Sequence, residues 1–376
     1  MDQKILVTRS SMPPLREYVD EIASMWDSHW LTNMGEKHQA FEAVLKNRLN
    51  VDYLTLFVNG HNALECALEA FDLHGEVITT PFTFTSTTHA IVRKGLVPVF
   101  ADIKESDLTL DPDSIEKAIT PRTCAIVPVH VYGNLCDVDA IQDIANRYGL
   151  TVIYDAAHAF GVERKNPLTR QWESAAVFGN ASMFSFHATK VFNTIEGGCV
   201  CFHDPSLADK LNQLKNFGIV GQEEVESIGT NAKMNEFCAA MGLCNLRHLD
   251  EEIAKRQKVA NRYWELLEDI PGITIFRPPE SIKSNYAYLP VLFDADIFGA
   301  TRDEVYDALA NAGIGTRKYF YPLISDCACY RDCYSSEKTP IAKDKASKVL
   351  TLPLYSDLPI KAVDSICKIL RSFPEA

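Results

Sequence analysis

The chain has 376 residues, 47% of them hydrophobic and 23% charged, an ordinary globular composition at a length that favours two domains. Fifty acidic against 37 basic side chains give a formal net charge of −13, which disfavours nucleic acid and anionic membranes as general partners but allows a local anion site. No apolar run approaches the roughly 20 residues of a membrane span, Met1–Pro14 lacks the apolar core of a signal peptide, and the eleven scattered cysteines fit a reducing cytoplasm.

In chain order, Leu54–Val58 reads as a strand followed by an amphipathic helix, Asn62–Phe71. Val77–Thr80 is a second strand, then helical through Ala90–Arg93. Val97–Phe100, Cys124–Val129 and Val152–Tyr154 are further apolar runs, with helical segments near Asp113–Ile119 and Val138–Tyr148 between them. Ser182–Phe186 and Cys199–Phe202 complete the series. This β/α alternation predicts an α/β fold with a mostly parallel sheet covered by helices on both faces. Ligands bind such sheets beyond the carboxyl ends of the strands. Met234–Leu267 is a long helical pattern leading into a smaller α+β part, with strands near Tyr286–Phe293 and Gly315–Phe320 and helices near Arg302–Asn311 and Ile360–Phe373. The expected division is 1–247 for the large domain and 248–376 for the small one. Cys327, Cys329 and Cys333 lack a fourth ligand at zinc-like spacing, so no metal is expected.

Four segments stand where strands should end. Val58-Asn59-Gly60-His61-Asn62-Ala63 places a glycine at a helix start, suited to a phosphate; alone, it reads as well as a tight turn with an N-cap, and it lacks the Lys of a P-loop. Tyr154-Asp155-Ala156-Ala157-His158 puts a carboxylate at the ligand edge, where it could pair with a pyridinium or simply cap a turn. Ser185-Phe186-His187-Ala188-Thr189-Lys190 ends in a lysine that is a nucleophile and base if its surroundings are dry, and an exposed turn residue if they are not. Gly229-Thr230-Asn231-Ala232-Lys233-Met234-Asn235-Glu236 runs from a loop into a helix and is uninformative alone.

The order phosphate turn, strand-end Asp, Ser-x-His-x-x-Lys is far more specific than any part. With Thr80-Pro81-Phe82-Thr83-Phe84 and Pro128-Val129-His130-Val131-Tyr132-Gly133, the chain from Pro13 to Phe373 resembles the DegT/DnrJ/EryC1/StrS family of nucleotide-sugar aminotransferases. The resemblance implies the fold of PLP-dependent transferases of type I, with pyridoxal phosphate (PLP) as cofactor. It implies Lys190 as the Schiff-base lysine and Asp155 as the acid beside the pyridine nitrogen, with His187 counted beside them as catalytic. Phe84 would stack on the ring, His158 would lie near its phenolic oxygen, and Gly60, His61 and Ser185 would meet the phosphate. A Thr is usual where His61 stands, which leaves that side-chain contact open. Asn231 matches a residue that reaches a phosphate across a dimer interface, implying a homodimer with shared sites.

Within the family, Ser185-Phe186-His187 favours the branch that aminates C4 of the sugar. The runs Leu31-Thr32-Asn33 and Asn231-Ala232-Lys233-Met234-Asn235-Glu236-Phe237 are similar to members acting on dTDP-4-keto-6-deoxy-D-glucose, with L-glutamate as donor, in deoxyamino-sugar and O-antigen synthesis. UDP- or GDP-linked 4-keto sugars, amination at C3 and sugar dehydration are the alternatives. Arg317, Lys318 and Tyr319 are candidates for the nucleotide diphosphate, which needs cationic or N–H partners.

Overall fold

The computed structural model describes residues 4–373. Its main sheet begins with β1 (Tyr53–Phe57), β2 (Glu76–Thr79), β3 (Val97–Phe100), β4 (Thr123–Ile126) and β5 (Thr151–Asp155). A small hairpin, β6 (Glu163–Lys165) and β7 (Trp172–Ser174), follows, and β8 (Ala181–Ser185) and β9 (Gly198–Phe202) return to the sheet. The order is β1-β9-β8-β5-β4-β2-β3. Pairings from β3 through β8 are parallel, and β9 runs antiparallel to both β8 and β1. The sheet is therefore mixed but mostly parallel.

Side-chain alternation along the strands feeds a core on each face. On β9, Val200 and Phe202 join the cluster under helix Gly60–Ala70, while Cys199 and Cys201 join the opposite cluster with Phe41 and Leu45 of helix Glu36–Leu49. The second face is closed by the 32-residue helix Glu236–Leu267, whose N-cap Asn235 accepts from the Cys238 amide at 2.9 Å. None of the described helices is long and apolar enough to cross a membrane.

The C-terminal part carries its own three-stranded sheet, built by β10 (Ile273–Ile275), β12 (Leu289–Phe293) and β13 (Val349–Leu352); β11 (Ile282–Lys283) instead pairs with β6. A separate core runs from Val259 to Leu370 and is joined by Ile5, which bridges to Ile314. The division expected at 247/248 falls inside the long helix, so one element serves both parts. One expected strand needs correction. Gly315–Phe320 forms no strand; Arg317 makes only an isolated bridge to Thr351, and the sheet is completed by β13, which the sequence reading missed.

Candidate active site

The carboxyl ends of β1, β5 and β8 open on one cavity of about 420 Å³. Gly60, His61, Phe84, Asp155, His158, Ser185, His187, Lys190 and Tyr319 all line it, although their positions span some 260 residues of sequence. Gly60 opens the helix after β1, with Asn59 as N-cap accepting from the Asn62 amide at 2.8 Å. A Cβ on Gly60 would meet the Ser185 Cβ at 2.7 Å, and one on Gly198 would meet the Gly60 nitrogen at 2.7 Å. Glycine is thus needed for the turn, β8 and β9 to close on one point.

Asp155 ends β5 and is 5% exposed. Thr87 donates to one carboxylate oxygen at 2.7 Å and the Ala157 amide to the other at 3.1 Å. Burial raises its pKa; those hydrogen bonds and the charge of Lys190 act against the rise. Lys190 is half-buried and lines the cavity. Burial lowers its ammonium to about 8, against the pull of Asp155 and Tyr319. A useful fraction is therefore free amine near neutrality.

His158 is buried and held well below the ordinary imidazole range by burial and by the charge of Lys190. Its Nδ1 accepts from the Tyr132 amide at 3.1 Å, which in the neutral ring leaves the proton on Nε2. Its ring lies 6.0 Å from Phe320 and 5° from parallel. Phe84 presents an apolar face to the cavity and is 55% exposed. His187 is exposed at the rim, with Thr189 at 2.9 Å and Glu196 at 3.5 Å.

Three expected residues are not brought into these walls. Lys318 pairs with Asp303 at 2.6 Å and lies over the Tyr306 ring. Arg317 points to an exposed surface, and Asn231 is exposed on an arm whose strands meet at Asn216–Asn231 and Ile219–Val225. Conversely, Thr87, Ser86, Tyr288 and Glu196 belong to the site and were not read from the sequence. The hydroxyl run Thr85-Ser86-Thr87-Thr88 was the one available signal for two of them.

The family model of DegT/DnrJ/EryC1/StrS aminotransferases matches residues 15–371. The chain belongs to this family. It is 43% identical over 371 residues, 99% of each chain, to a dTDP-4-amino-4,6-dideoxy-D-glucose transaminase of Shigella dysenteriae. A transaminase of the same name from Escherichia coli is 43% identical over 374 residues, 98% of each chain. Among solved structures, DesI in the presence of its TDP-sugar product matches with a TM-score of 0.92 at 35% identity, covering 99% of this chain and 93% of that one. Helicobacter pylori PseC, an aminotransferase involved in pseudoaminic acid biosynthesis, matches at 0.91 and 28%, covering 99% of both. The fold is that of the PLP-dependent sugar aminotransferases.

DegT/DnrJ/EryC1/StrS aminotransferases work with PLP, and this cavity fits it. A buried carboxylate bonded, among the described residues, to no basic side chain suits a pyridinium proton. The Gly60 turn, which admits no Cβ, suits a phosphate, and the uncovered face of Phe84 suits a planar ring.

Proposed function

We propose that the chain transfers an amino group from L-glutamate to C4 of dTDP-4-keto-6-deoxy-D-glucose, giving the 4-amino-4,6-dideoxy sugar. The 43% identity over the whole chain to two transaminases of that product carries the reading. The Lys190 and Asp155 geometry supports it independently, because the pair supplies what transamination needs.

Bound in the cavity, PLP supplies an electron sink for the carbon that carries the transferred amine. Lys190 would hold the cofactor and, as a free amine, would move a proton at the reacting carbon; a pKa lowered to about 8 suits both tasks. Asp155 keeps a proton on the ring nitrogen, with Thr87 fixing its orientation. His158, neutral with its proton on Nε2, could donate from that nitrogen to the cofactor ring. Ser185, the Gly60 amide and His61 hold the phosphate, and His187 with Glu196 guards the rim.

Two subunits share their sites in this reading. The arm around Asn231 carries Phe217, Val225 and Ile228, 48%, 65% and 90% exposed, which is apolar surface for a second copy to cover. Asn231 then reaches the partner's phosphate site. A cytoplasmic homodimer serving deoxyamino-sugar synthesis follows from the same reading.

The test is incubation with glutamate and dTDP-4-keto-6-deoxyglucose, with NMR to locate the new amine. Lys190→Ala serves as the control and should abolish turnover. An amine at C3, or conversion of a UDP- or GDP-linked 4-keto sugar alone, overturns the substrate and leaves the chemistry. Normal turnover by Lys190→Ala overturns the chemistry.

A further inference from the structure

Glu196 stands at the cavity rim on a turn held more tightly than a spacer needs. Ile195 before it has φ +70°, a left-handed conformation that a β-branched residue rarely adopts. Asn193 Oδ1 accepts from the Ile195 amide at 3.2 Å, and the Thr194 hydroxyl donates to the Glu196 carbonyl at 2.8 Å. The Thr194 amide donates to the Phe186 carbonyl at 2.9 Å and the Phe186 amide to the Gly197 carbonyl at 2.8 Å, which ties the turn to the chain just past β8. A Cβ on Gly197 would meet Thr194 Oγ1 and, at 2.6 Å, Met234 Cε, so the turn closes with no room for a side chain there. The product of this bracing is a carboxylate fixed at the rim. Among the described residues, no hydrogen bond reaches its oxygens, and its one cation within 4 Å is the His187 imidazole at 3.5 Å. Of the described residues that line the cavity, only Asp155 and Glu196 carry a carboxylate, and Asp155 serves the ring nitrogen.

We propose that Glu196 is a specificity residue that separates the two substrates sharing this cavity: its carboxylate accepts a hydrogen bond from a ring hydroxyl of the keto sugar and repels the carboxylates of the amino donor. This rests on the function proposed above. The cofactor phosphate and the nucleotide diphosphate are anions, and glutamate carries two carboxylates and no hydroxyl. The hexose is the part of the sugar substrate that is uncharged and richest in hydroxyls, and a carboxylate only accepts. Its charge strengthens the bond to a hydroxyl and disfavours a dicarboxylate at the same place, so attraction and repulsion both contribute to the discrimination. His187 offsets part of the repulsion. The Glu196 side chain is 53% exposed, so water and salt keep both effects modest.

The experiment follows the two half-reactions of the holoenzyme separately by cofactor absorbance, glutamate with the pyridoxal form and the keto sugar with the pyridoxamine form. Glu196→Gln keeps the shape and removes the charge, with circular dichroism to verify folding. The apparent Kd for the keto sugar should rise about tenfold with its limiting rate little changed. The apparent Kd for glutamate should fall about twofold to threefold. Two 4-keto sugars lacking one more hydroxyl each, at C2 or at C3, identify the contact: one of them should bind wild type and variant alike. The inference is overturned if the sugar is unaffected, if glutamate binding does not improve, or if both deoxy sugars keep the tenfold loss. If the wild type converts only a UDP- or GDP-linked 4-keto sugar, the substrate assignment fails, and the same comparison is read on that sugar.

Discussion

Asp155 receives hydrogen bonds from Thr87 and an amide but, among the described residues, from no basic side chain. Asp155→Asn keeps the shape and removes the charge that would hold a ring proton. Turnover should fall by about a hundredfold or more, equivalent to about 2.7 kcal/mol. An unchanged kcat would reduce Asp155 to a turn residue. Lys215 is a different buried charge, 0% exposed and donating to the Leu56 carbonyl at 3.2 Å. Burial lowers its pKa from 10.5 to about 8. Its folded value lies below its unfolded one, so the unfolded chain binds more protons between them and stability rises with pH through that window. Below about pH 8 the full cost, about 3 kcal/mol, is present. Lys215→Met removes that cost but strips the Leu56 carbonyl of a partner worth about 1 kcal/mol. Denaturant melts should show a gain of about 1–2 kcal/mol at neutral pH, shrinking away as pH approaches 10.5. A gain independent of pH contradicts this account. At this scale the sequence was legible wherever a residue type carries its chemistry with it, as Lys190 and Asp155 do. Thr87 escaped because its role comes from a contact 68 positions away.

Helix Glu236–Leu267 packs against helix Glu36–Leu49 through Gly242. A Cβ there would lie 2.6 Å from Phe41 Cζ and 2.8 Å from Thr194 Cγ2. In an open helix, Gly to Ala stabilises by up to about 1 kcal/mol. Here Phe41 is fully buried and cannot withdraw, so overpacking decides the sign. Gly242→Ala should cost about 1–3 kcal/mol, read as a lower Tm; a raised Tm would mean that the two helices separate readily. The strands of the main sheet were readable because each is a short apolar run bounded by turn residues. Val349–Leu352 was not, because helix Pro340–Lys348 runs into it with no intervening turn. Gly315–Phe320 has strand-like composition, but it makes only the isolated bridge at Arg317 and a single amide hydrogen bond from Gly315 to Ile5, too few to form a strand.

At the scale of the molecule, the cavity holds the residues expected to meet the cofactor's ring and nearer phosphate contacts, while Asn231 stands apart on an exposed arm. If the chain is the dimer proposed above, Asn231→Ala should weaken cofactor binding severalfold without changing its sedimentation. A fully active monomer in the ultracentrifuge would refute shared sites. Arg317 and Lys318 do not line the cavity although the adjacent Tyr319 does, a difference of side-chain direction that the sequence does not show. A charge in a sequence does not reveal that Asp303 already neutralises it.

β1 is an edge strand whose sheet partner is β9, so residues 53–57 pair with residues 198–202. On the ribosome, the turn after β1, Asp155 and Lys190 all emerge before that partner exists. Until it arrives, nothing in the sheet fixes where Gly60 sits relative to Ser185. Lys190 itself precedes β9 by only eight residues, and its lowered pKa, which comes from burial, exists only once the strands around it have closed. The order of synthesis therefore leaves the lysine an ordinary surface amine until the sheet that defines the phosphate turn is complete.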